Sequence, residues 1–332
     1  MSDPFSFAAN AVLPIILLIG AGYFLKARGL LTKSFLDTGN RFTFRFLLPV
    51  MLFMNVYKIE RLREINTAFI VYGLAAVFVI FLAATAVTCA FTRDNAKRGS
   101  LIQATFRSNY AIIGLPLAAS LFGEKGEAAA AVMSAFCVPF FNILSVITLS
   151  VFNGSSERRD ISVRNILADI AKNPLIIGTA AGIACLGVRE IFVMTDIGFR
   201  LTDVSFLYKT LEEIKTLCTP FALIILGGRF EFSAVSRLFR EIAFGTFMRN
   251  AAVPFIGLSG AYLMRDMLMI SGEHFAAFVG VFATPAAVAS AVMAKEMGAD
   301  EELAGQLVVW TSLIGMVTVF VSTAVLRALG IF

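Results

Sequence analysis

The sequence predicts an all-α integral membrane protein with ten transmembrane helices in a 5+5 inverted repeat, in which helices 4 and 9 are broken and cross. Hydrophobic residues make up 58% of the 332 residues and charged residues only 15%, whereas a soluble protein carries about 25% charged residues. Apolar stretches of about 20 residues, enough for one membrane crossing, recur along the whole chain. Finally, Pro116 and Pro285 interrupt two such stretches at matching places in the two halves of the chain.

Ten stretches are long and apolar enough to be predicted as spans. They cover residues 6–26, 35–57, 66–91, 98–122, 128–151, 173–193, 205–228, 240–264, 273–296 and 303–329. The second span is interrupted by Asn40, Arg41 and Arg45. The seventh begins in a mixed apolar and charged segment, which could also lie at the membrane surface as an amphipathic helix.

The chain divides into two five-span repeats, residues 1–152 and 173–332, joined by a cytoplasmic connection over residues 153–172. We expect this polar connection to end in a short surface helix before Asn173-Pro174. Basic loop residues are more frequent on the cytoplasmic side if both termini lie outside, and this orientation follows the positive-inside rule. The expected location is therefore the cytoplasmic (inner) membrane, which the chain crosses several times.

The two halves share the spacing of their prolines. Pro49 precedes Pro116 by 67 residues, and in the second half Pro220 precedes Pro285 by 65 residues. Because each half has five spans, an odd number, the second half is expected to be inserted upside down. Inverted repeats with paired broken helices are typical of secondary transporters. The alternative is a chance alignment among the nine prolines of the chain.

Proline breaks a helix because it lacks an N–H donor and clashes with the preceding turn. In the fourth span we predict an unwound link at Ile113-Gly114-Leu115, with Pro116 as the first residue of the next half-helix. In the ninth span Ala283 and Thr284 form the predicted link and Pro285 begins the second half. Two half-helix N-termini, with free N–H groups and partial positive charge, would then meet near the middle of the membrane and attract an anion.

Polar residues near the fourth-span break are candidates for a binding site. Arg107 lies nine residues after Arg98, roughly 13 Å along the helix. An ionisable residue at such depth is a functional candidate, because its burial is costly. Arg107 could contact a ligand, cap the carbonyl groups of the first half-helix or pair with a carboxylate of a loop. Asn109 could donate to a carboxylate or satisfy backbone groups freed by the break.

Asn142 and Thr311 each lie 26 residues after the mid-span proline of their half, in otherwise apolar spans. They could line the same cavity or form hydrogen bonds between helices. Arg249-Asn250 in the eighth span is a further candidate for an interior polar contact. The clearly apolar spans contain no deep Asp or Glu, which argues against an antiporter with paired intramembrane carboxylates and favours an anion site.

Other classes of protein have little support in the sequence. We find no HExxH or GxSxG motif and no cluster of His, Asp and Glu that would indicate an enzyme. The four cysteines show no zinc spacing, and no metal or cofactor is expected. The net charge of +5 comes from loop residues and does not indicate a nucleic-acid partner. A sensor that binds a ligand without net flux remains an alternative.

Four segments together resemble the auxin efflux carrier family in its bacterial members. They are Phe106-Arg107-Ser-Asn109-Tyr-Ala-Ile-Ile-Gly114-Leu-Pro116, Asn173-Pro174-Leu-Ile-Ile-Gly178, Thr219-Pro220-Phe-Ala-Leu-Ile-Ile-Leu-Gly227, and Ala283-Thr-Pro285 with the later Gly298-Ala-Asp and Glu302-Leu-Ala. The resemblance extends over essentially the whole chain.

This resemblance implies a 5+5 inverted repeat similar to that of bile-acid/sodium symporters, with a scaffold of spans 1, 2, 6 and 7 and a mobile core of spans 3–5 and 8–10. It implies a dimer contact through the scaffold and a carboxylate site at the crossing of spans 4 and 9, where Asn109, Pro116 and Pro285 match the family's residues. Plant relatives export auxin, and bacterial relatives resemble malate and malonate permeases. The chain lacks the long central loop of many plant members and an acidic residue in the third span, so neither phosphorylation control nor that acidic group is expected.

The expected function is secondary transport of a small organic anion, such as malate, malonate or an auxin-like acid, by alternating access. The predicted substrate contacts are Arg107, Asn109, Ile113, Gly114, Pro116, Asn142, Ala283, Thr284, Pro285 and Thr311. The alternative is a sodium-coupled symporter of the bile-acid type, because unwound carbonyls and Asn, Thr or Ser oxygens can coordinate Na⁺.

Overall fold

The computed structural model describes residues 4–58, 66–154 and 163–332. In this part of the chain the regular structure is helical, apart from one isolated backbone bridge between extended residues. The all-α prediction is therefore confirmed for the described residues. Residues 155–162 of the predicted connection between the halves lie outside them.

The first half contains the second predicted span as one uninterrupted helical segment in spite of its polar residues. Its elements are α1 (Pro4–Ala27), α2 (Lys33–Phe42), a π-helix at Thr43–Leu47, α3 (Leu48–Tyr57), α4 (Thr67–Phe91), α5 (Asn95–Phe106), a π-helix at Tyr110–Gly114, and α6 (Leu115–Val151). The backbone leaves the helical region at Phe122 and Gly123, so α6 bends where the fourth predicted span ends and the fifth follows.

A helix ends the predicted connection just before Asn173, and the mixed segment before the seventh span is helical. The elements are α7 (Val163–Lys172), α8 (Pro174–Met194), a 3₁₀ turn at Leu201–Asp203, α9 (Ser205–Arg229), α10 (Ser233–Arg237), α11 (Phe239–Phe247), a π-helix at Met248–Ala252, α12 (Val253–Leu263), α13 (Arg265–Leu268), α14 (Gly272–Ala283), α15 (Val288–Glu296) and α16 (Glu301–Ala328). The Asn173 side chain caps α8 by accepting from the Leu175 N–H (2.9 Å).

Several helices have the length and composition of membrane spans. Among the described residues, four helical segments qualify on both criteria: Thr67–Phe91, Tyr110–Val151, Pro174–Met194 and Glu301–Ala328. Large apolar side chains on their outer faces, such as Leu82, Ile183 and Val325, are exposed. An apolar outer surface is expected where lipid replaces water as the solvent, so the chain is a helical membrane protein.

Close helix packing depends on glycine at two crossings. α1 packs along α9, and a Cβ atom at Gly227 would lie 1.9 Å from the carbonyl oxygen of Ile19. α14 crosses α6 and the π-helix before it, where a Cβ atom at Gly280 would lie 2.8 Å from the Cα atom of Gly114. A larger residue at either place would push the helices apart.

Each of the three π-helices in the described residues ends two residues before a proline, namely Pro49, Pro116 and Pro254. A π-turn bonds each N–H one residue further back than an α-turn. The wider turn accommodates the missing N–H and the ring of proline, which would otherwise break the helix. The predicted link at Ile113-Gly114-Leu115 is therefore wrong, because these residues are helical and the helix continues through Pro116.

The fourth span breaks earlier, at Arg107–Asn109, between α5 and the following π-helix. The ninth span breaks at residues 284–287, between α14 and α15. The second link was thus predicted in the right region but with the wrong limits. Ala283 is the last residue of α14, Pro285 lies inside the link, and α15 begins only at Val288.

Main-chain hydrogen bonds join the two breaks and explain where they lie. Ser108 and Ala286 form an isolated antiparallel bridge, although they are 178 positions apart in the sequence. Beside this bridge, backbone N–H groups donate across the gap at 2.8 and 3.1 Å, from Asn109 to Pro285 and from Ala287 to Arg107. Each break therefore supplies backbone partners that the other lost by leaving the helix.

Candidate functional site

Arg249 lies where the broken helices cross and hydrogen-bonds to both of them. Its side chain is completely buried. The Nε atom donates to the carbonyl of Thr284 (2.8 Å), Nη1 to that of Thr105 (2.9 Å) and Nη2 to that of Val281 (2.9 Å). One guanidinium group thus connects the C-terminal ends of α5 and α14.

The breaks explain why these carbonyls need a donor from outside their helices. In an unbroken helix Val281 would accept from residue 285, but Pro285 has no N–H. Thr105 would accept from Asn109, whose N–H donates to the Pro285 carbonyl instead. Arg249 replaces the missing donors, as the apolar membrane interior requires, and its positive charge lies at the negative ends of two helix dipoles.

Arg107 supplies a second buried guanidinium group. Its Nη2 donates to Asn142 Oδ1 (2.7 Å), and its Nη1 donates to Ser145 Oγ (3.3 Å) and also contacts the sulfur of Met293. Within the described part of the chain, no Asp or Glu forms an ion pair with Arg107 or Arg249. Two positive charges therefore lie at the crossing with only neutral acceptors around them.

Asn142 and Thr311 each contact the break of their own half. Asn142 accepts from Arg107, and Thr311 Oγ1 accepts from the Ala286 N–H (3.1 Å) while donating to the Leu307 carbonyl (2.6 Å). Both residues hydrogen-bond between helices, which is one of the two roles that the sequence allowed. Neither lines the cavity at the crossing.

A cavity of about 50 Å³ lies beside the crossing, with room for a few water molecules. One wall is formed by Arg107–Ile112, which cover the first break and the start of the next helix, and by Ala287–Ala289, which follow the second break. The other walls come from α3, α6 and α9 and are mostly apolar: Leu48, Met51, Leu52, Val138, Phe141, Cys218, Thr219 and Ala222. We call this space the crossover cavity.

Two helix N-termini face the crossover cavity, at Tyr110 and at Val288. The first N–H groups of a helix have no partner within it and carry partial positive charge. The Asn109 side chain is 4% exposed, and its Nδ2 has no hydrogen-bond partner among the described residues. The cavity therefore offers free donors and positive charge, which together suit a carboxylate or another small anion.

Of the ten predicted contact residues, only Arg107 and Asn109 line the crossover cavity. Pro116 is exposed. Ile113 and Ala283 lie in the apolar core. The other five are the packing residue Gly114, the link residues Thr284 and Pro285, and the interhelical contacts Asn142 and Thr311 described above.

Sequence reasoning missed several residues of the site for two different reasons. Ala287–Ala289 and Met51 are apolar, so nothing in the sequence distinguishes them from core residues. Because an arginine inside an apolar span is costly to bury, Arg249 was a candidate for an interior polar contact, but not for the site itself. Its role could not be predicted, because the carbonyls that it satisfies become free only where the two breaks meet.

A larger cavity of about 620 Å³, which we call the vestibule, lies where α9 ends and α16 begins. Ala222 lines both cavities, so the vestibule approaches the crossover cavity at this residue. The charged side chains that line it are Lys26, Lys33, Arg229, Arg237, Lys295, Glu231, Glu301 and Glu302.

Two comparisons with known proteins bear on this site. A family model described as a membrane transport protein matches residues 7–323. The uncharacterized transporter MJ1031 of Methanocaldococcus jannaschii is 25% identical over 303 residues, which cover 89% of this chain and 89% of that protein. Both similarities extend over nearly the whole chain, including the two breaks.

Proposed function

Because the chain belongs to the membrane transport protein family, which is the auxin efflux carrier family indicated by its motifs, we propose that it is a secondary transporter of small organic anions. One observation carries this proposal: two buried guanidinium groups and two helix N-termini surround one crossing, and no carboxylate of the described residues neutralises them. An uncompensated positive charge in a medium of low dielectric constant is stabilised by a bound anion.

The proposed architecture is the ten-span, 5+5 inverted repeat. Helices occur at all ten predicted positions, and the breaks in the two halves bond to each other. We assign spans 1, 2, 6 and 7 to a scaffold, because α1 packs along α9 and α3 along α8. The remaining spans form the core. The proposal includes a cytoplasmic membrane location with both termini outside and a dimer through the scaffold.

The crossover cavity lies between these two groups of helices, which is where alternating access needs the substrate. α3 and α9 of the scaffold form one wall, and the two breaks in the core form the other. Movement of the core against the scaffold would carry the site from one membrane face to the other. The vestibule provides the access route at one face.

The apolar wall narrows the proposed class of substrate. When the carboxylate group of the substrate binds at Asn109 and at the helix N-termini, the rest of the substrate lies against side chains such as Met51, Leu52 and Ala222. A second carboxylate would lose its hydration there and find few donors, at a large cost. We therefore propose a monocarboxylate with an apolar body, of the auxin-like kind, in preference to malate or malonate.

The arrangement of the two arginines argues against the sodium-coupled alternative. The carbonyls of Thr105, Val281 and Thr284 and the side-chain oxygen of Asn142 already accept from guanidinium groups. These are the types of oxygen that would coordinate Na⁺ at unwound helices. A sodium ion there would also be repelled by the guanidinium charges.

The test is solid-supported-membrane electrophysiology on the purified protein in liposomes, with malate, malonate, succinate and indole-3-acetate, each with and without sodium. We expect a saturable current for indole-3-acetate that does not depend on sodium. Asn109→Ala should raise its half-saturating concentration about tenfold or more, since a hydrogen bond to a charged group is worth about 1.5–3 kcal/mol.

Asn95→Ala, an exposed asparagine at the start of α5, is the matched control and should transport like the parent protein. A larger current for the dicarboxylates would refute the proposed substrate class. A current that requires sodium would support the symporter instead. No response to any of the four acids by the folded protein would count against organic-anion transport.

A further inference from the structure

Four charged side chains form a closed ring at the vestibule. Arg229 pairs with Asp37 and with Glu301 (2.5 Å), and Lys295 pairs with Asp37 (2.7 Å) and with Glu301 (3.1 Å). Each charge therefore contacts two charges of the opposite sign. The ring thus contains four attractive contacts for four residues.

The ring spans the boundary between the proposed scaffold and core. Asp37 lies on α2 and Arg229 on α9, both in the scaffold, whereas Lys295 lies on α15 and Glu301 on α16, both in the core. One contact lies within each group, Asp37 with Arg229 and Lys295 with Glu301. The other two contacts cross from one group to the other.

We propose that this ring is a latch that divides into two neutral pairs when the core moves away from the scaffold. The proposal rests on the transport function proposed above, because it requires such a movement. Division breaks the two crossing contacts but leaves every charge with a partner from its own group. A simple bridge of two residues would leave two unpaired charges on opening, and partly buried charges without a partner are costly.

The exposure of the ring suits a contact that must open and close repeatedly. Its side chains are between 19% (Arg229) and 46% (Glu301) exposed. Ion pairs that are partly exposed to water are weak and are screened by salt. The latch would therefore favour the state seen in the structure without fixing it.

Charge exchange within one group tests the latch without disturbing the pair inside that group. Lys295→Glu combined with Glu301→Lys keeps the core pair attractive but makes both crossing contacts repulsive. Asp37→Arg combined with Arg229→Asp does the same from the scaffold side. The quadruple variant makes all four contacts attractive again. The two double variants are independent, so failure of one to fold does not prevent the test.

Cys218 can report the separation of the core from the scaffold, because it lines the crossover cavity between them and is 1% exposed in this state. The measurement is its rate of labelling by a charged maleimide in lipid nanodiscs, resolved by peptide mass spectrometry. Cys89→Ser and Cys185→Ser remove the two more accessible thiols. Arg237→Glu with Glu302→Arg, an exchange within a vestibule pair outside the ring, is the matched control.

We expect each double variant to label Cys218 about threefold faster or more than the parent, and the quadruple variant and the control to return to the parental rate. Moderate salt should accelerate labelling of the parent and reduce the difference. Unchanged rates in the double variants, or a quadruple variant as fast as they are, would overturn the latch. Labelling requires no substrate, so it tests the latch separately from transport. If the double and quadruple variants label as expected but the protein transports none of the four acids, transport of those anions is refuted and the latch is supported.

Discussion

Replacement of Arg249 by methionine should lower the stability of the protein substantially. Arg249→Met keeps a long side chain but leaves the carbonyls of Thr105, Val281 and Thr284 without their donor. Each buried polar group without a partner costs about 1–3 kcal/mol. Removal of a buried charge offsets part of this loss, so we expect the free energy of unfolding to fall by about 3 kcal/mol or more.

The assay is unfolding by SDS titration in mixed micelles, followed by the fluorescence of Trp310, the only tryptophan of the chain. Arg45→Met is the matched control, because Arg45 lies in another π-helix but is exposed. Arg249→Lys keeps the charge without the planar fork of donors and should lie between the parent and Arg249→Met. An unfolding free energy for Arg249→Met equal to that of the Arg45 control would refute the idea that the breaks depend on an outside donor.

Three further outcomes follow from the same geometry. Gly280→Ala should destabilise the protein by about 1–3 kcal/mol, since its Cβ atom would lie 2.8 Å from the backbone of Gly114. The control Gly20→Ala has no atom within 4 Å of the new Cβ and should change the unfolding free energy by less than about 0.5 kcal/mol. Asn142→Asp should give Arg107 a carboxylate partner and weaken transport of the anion about tenfold or more, without loss of stability; stronger transport would show that the charge of Arg107 does not serve the substrate. In the labelling assay, saturating indole-3-acetate should slow modification of Cys218 in the parent but not in Asn109→Ala, and equal protection in both would exclude Asn109 from the site.

The helical membrane fold could be predicted from composition and the length of the apolar stretches, because the membrane imposes both. The prolines were harder to interpret. Pro116 and Pro285 both interrupt an apolar stretch, but the first follows a π-helix and the second lies in an extended link. A π-turn depends on one inserted residue, which the hydrophobic pattern of an all-apolar span does not reveal.

The position of the breaks could not be predicted either, because it is set by a partner far away in the sequence. Ser108 leaves the helix to bond with Ala286, and neither residue is a strong helix breaker. Arg107 was predicted to lie at the site because its burial is costly, and Asn109 because an amide near the break can donate to a carboxylate; both line the crossover cavity. Polarity inside an apolar span thus located the crossing more accurately than proline did.

The two breaks are held to each other by main-chain atoms, which almost any residue can supply. The side chains at Ser108 and Ala289, both on the cavity wall, are therefore not required to keep the breaks together. Substitutions there can change what is recognised while the crossing keeps its shape. The selectivity of proteins with this fold can accordingly change by one substitution at a time, and each substituted protein still folds. Gly114 and Gly280 cannot be substituted in this way, because the close approach of their two backbones excludes every larger residue.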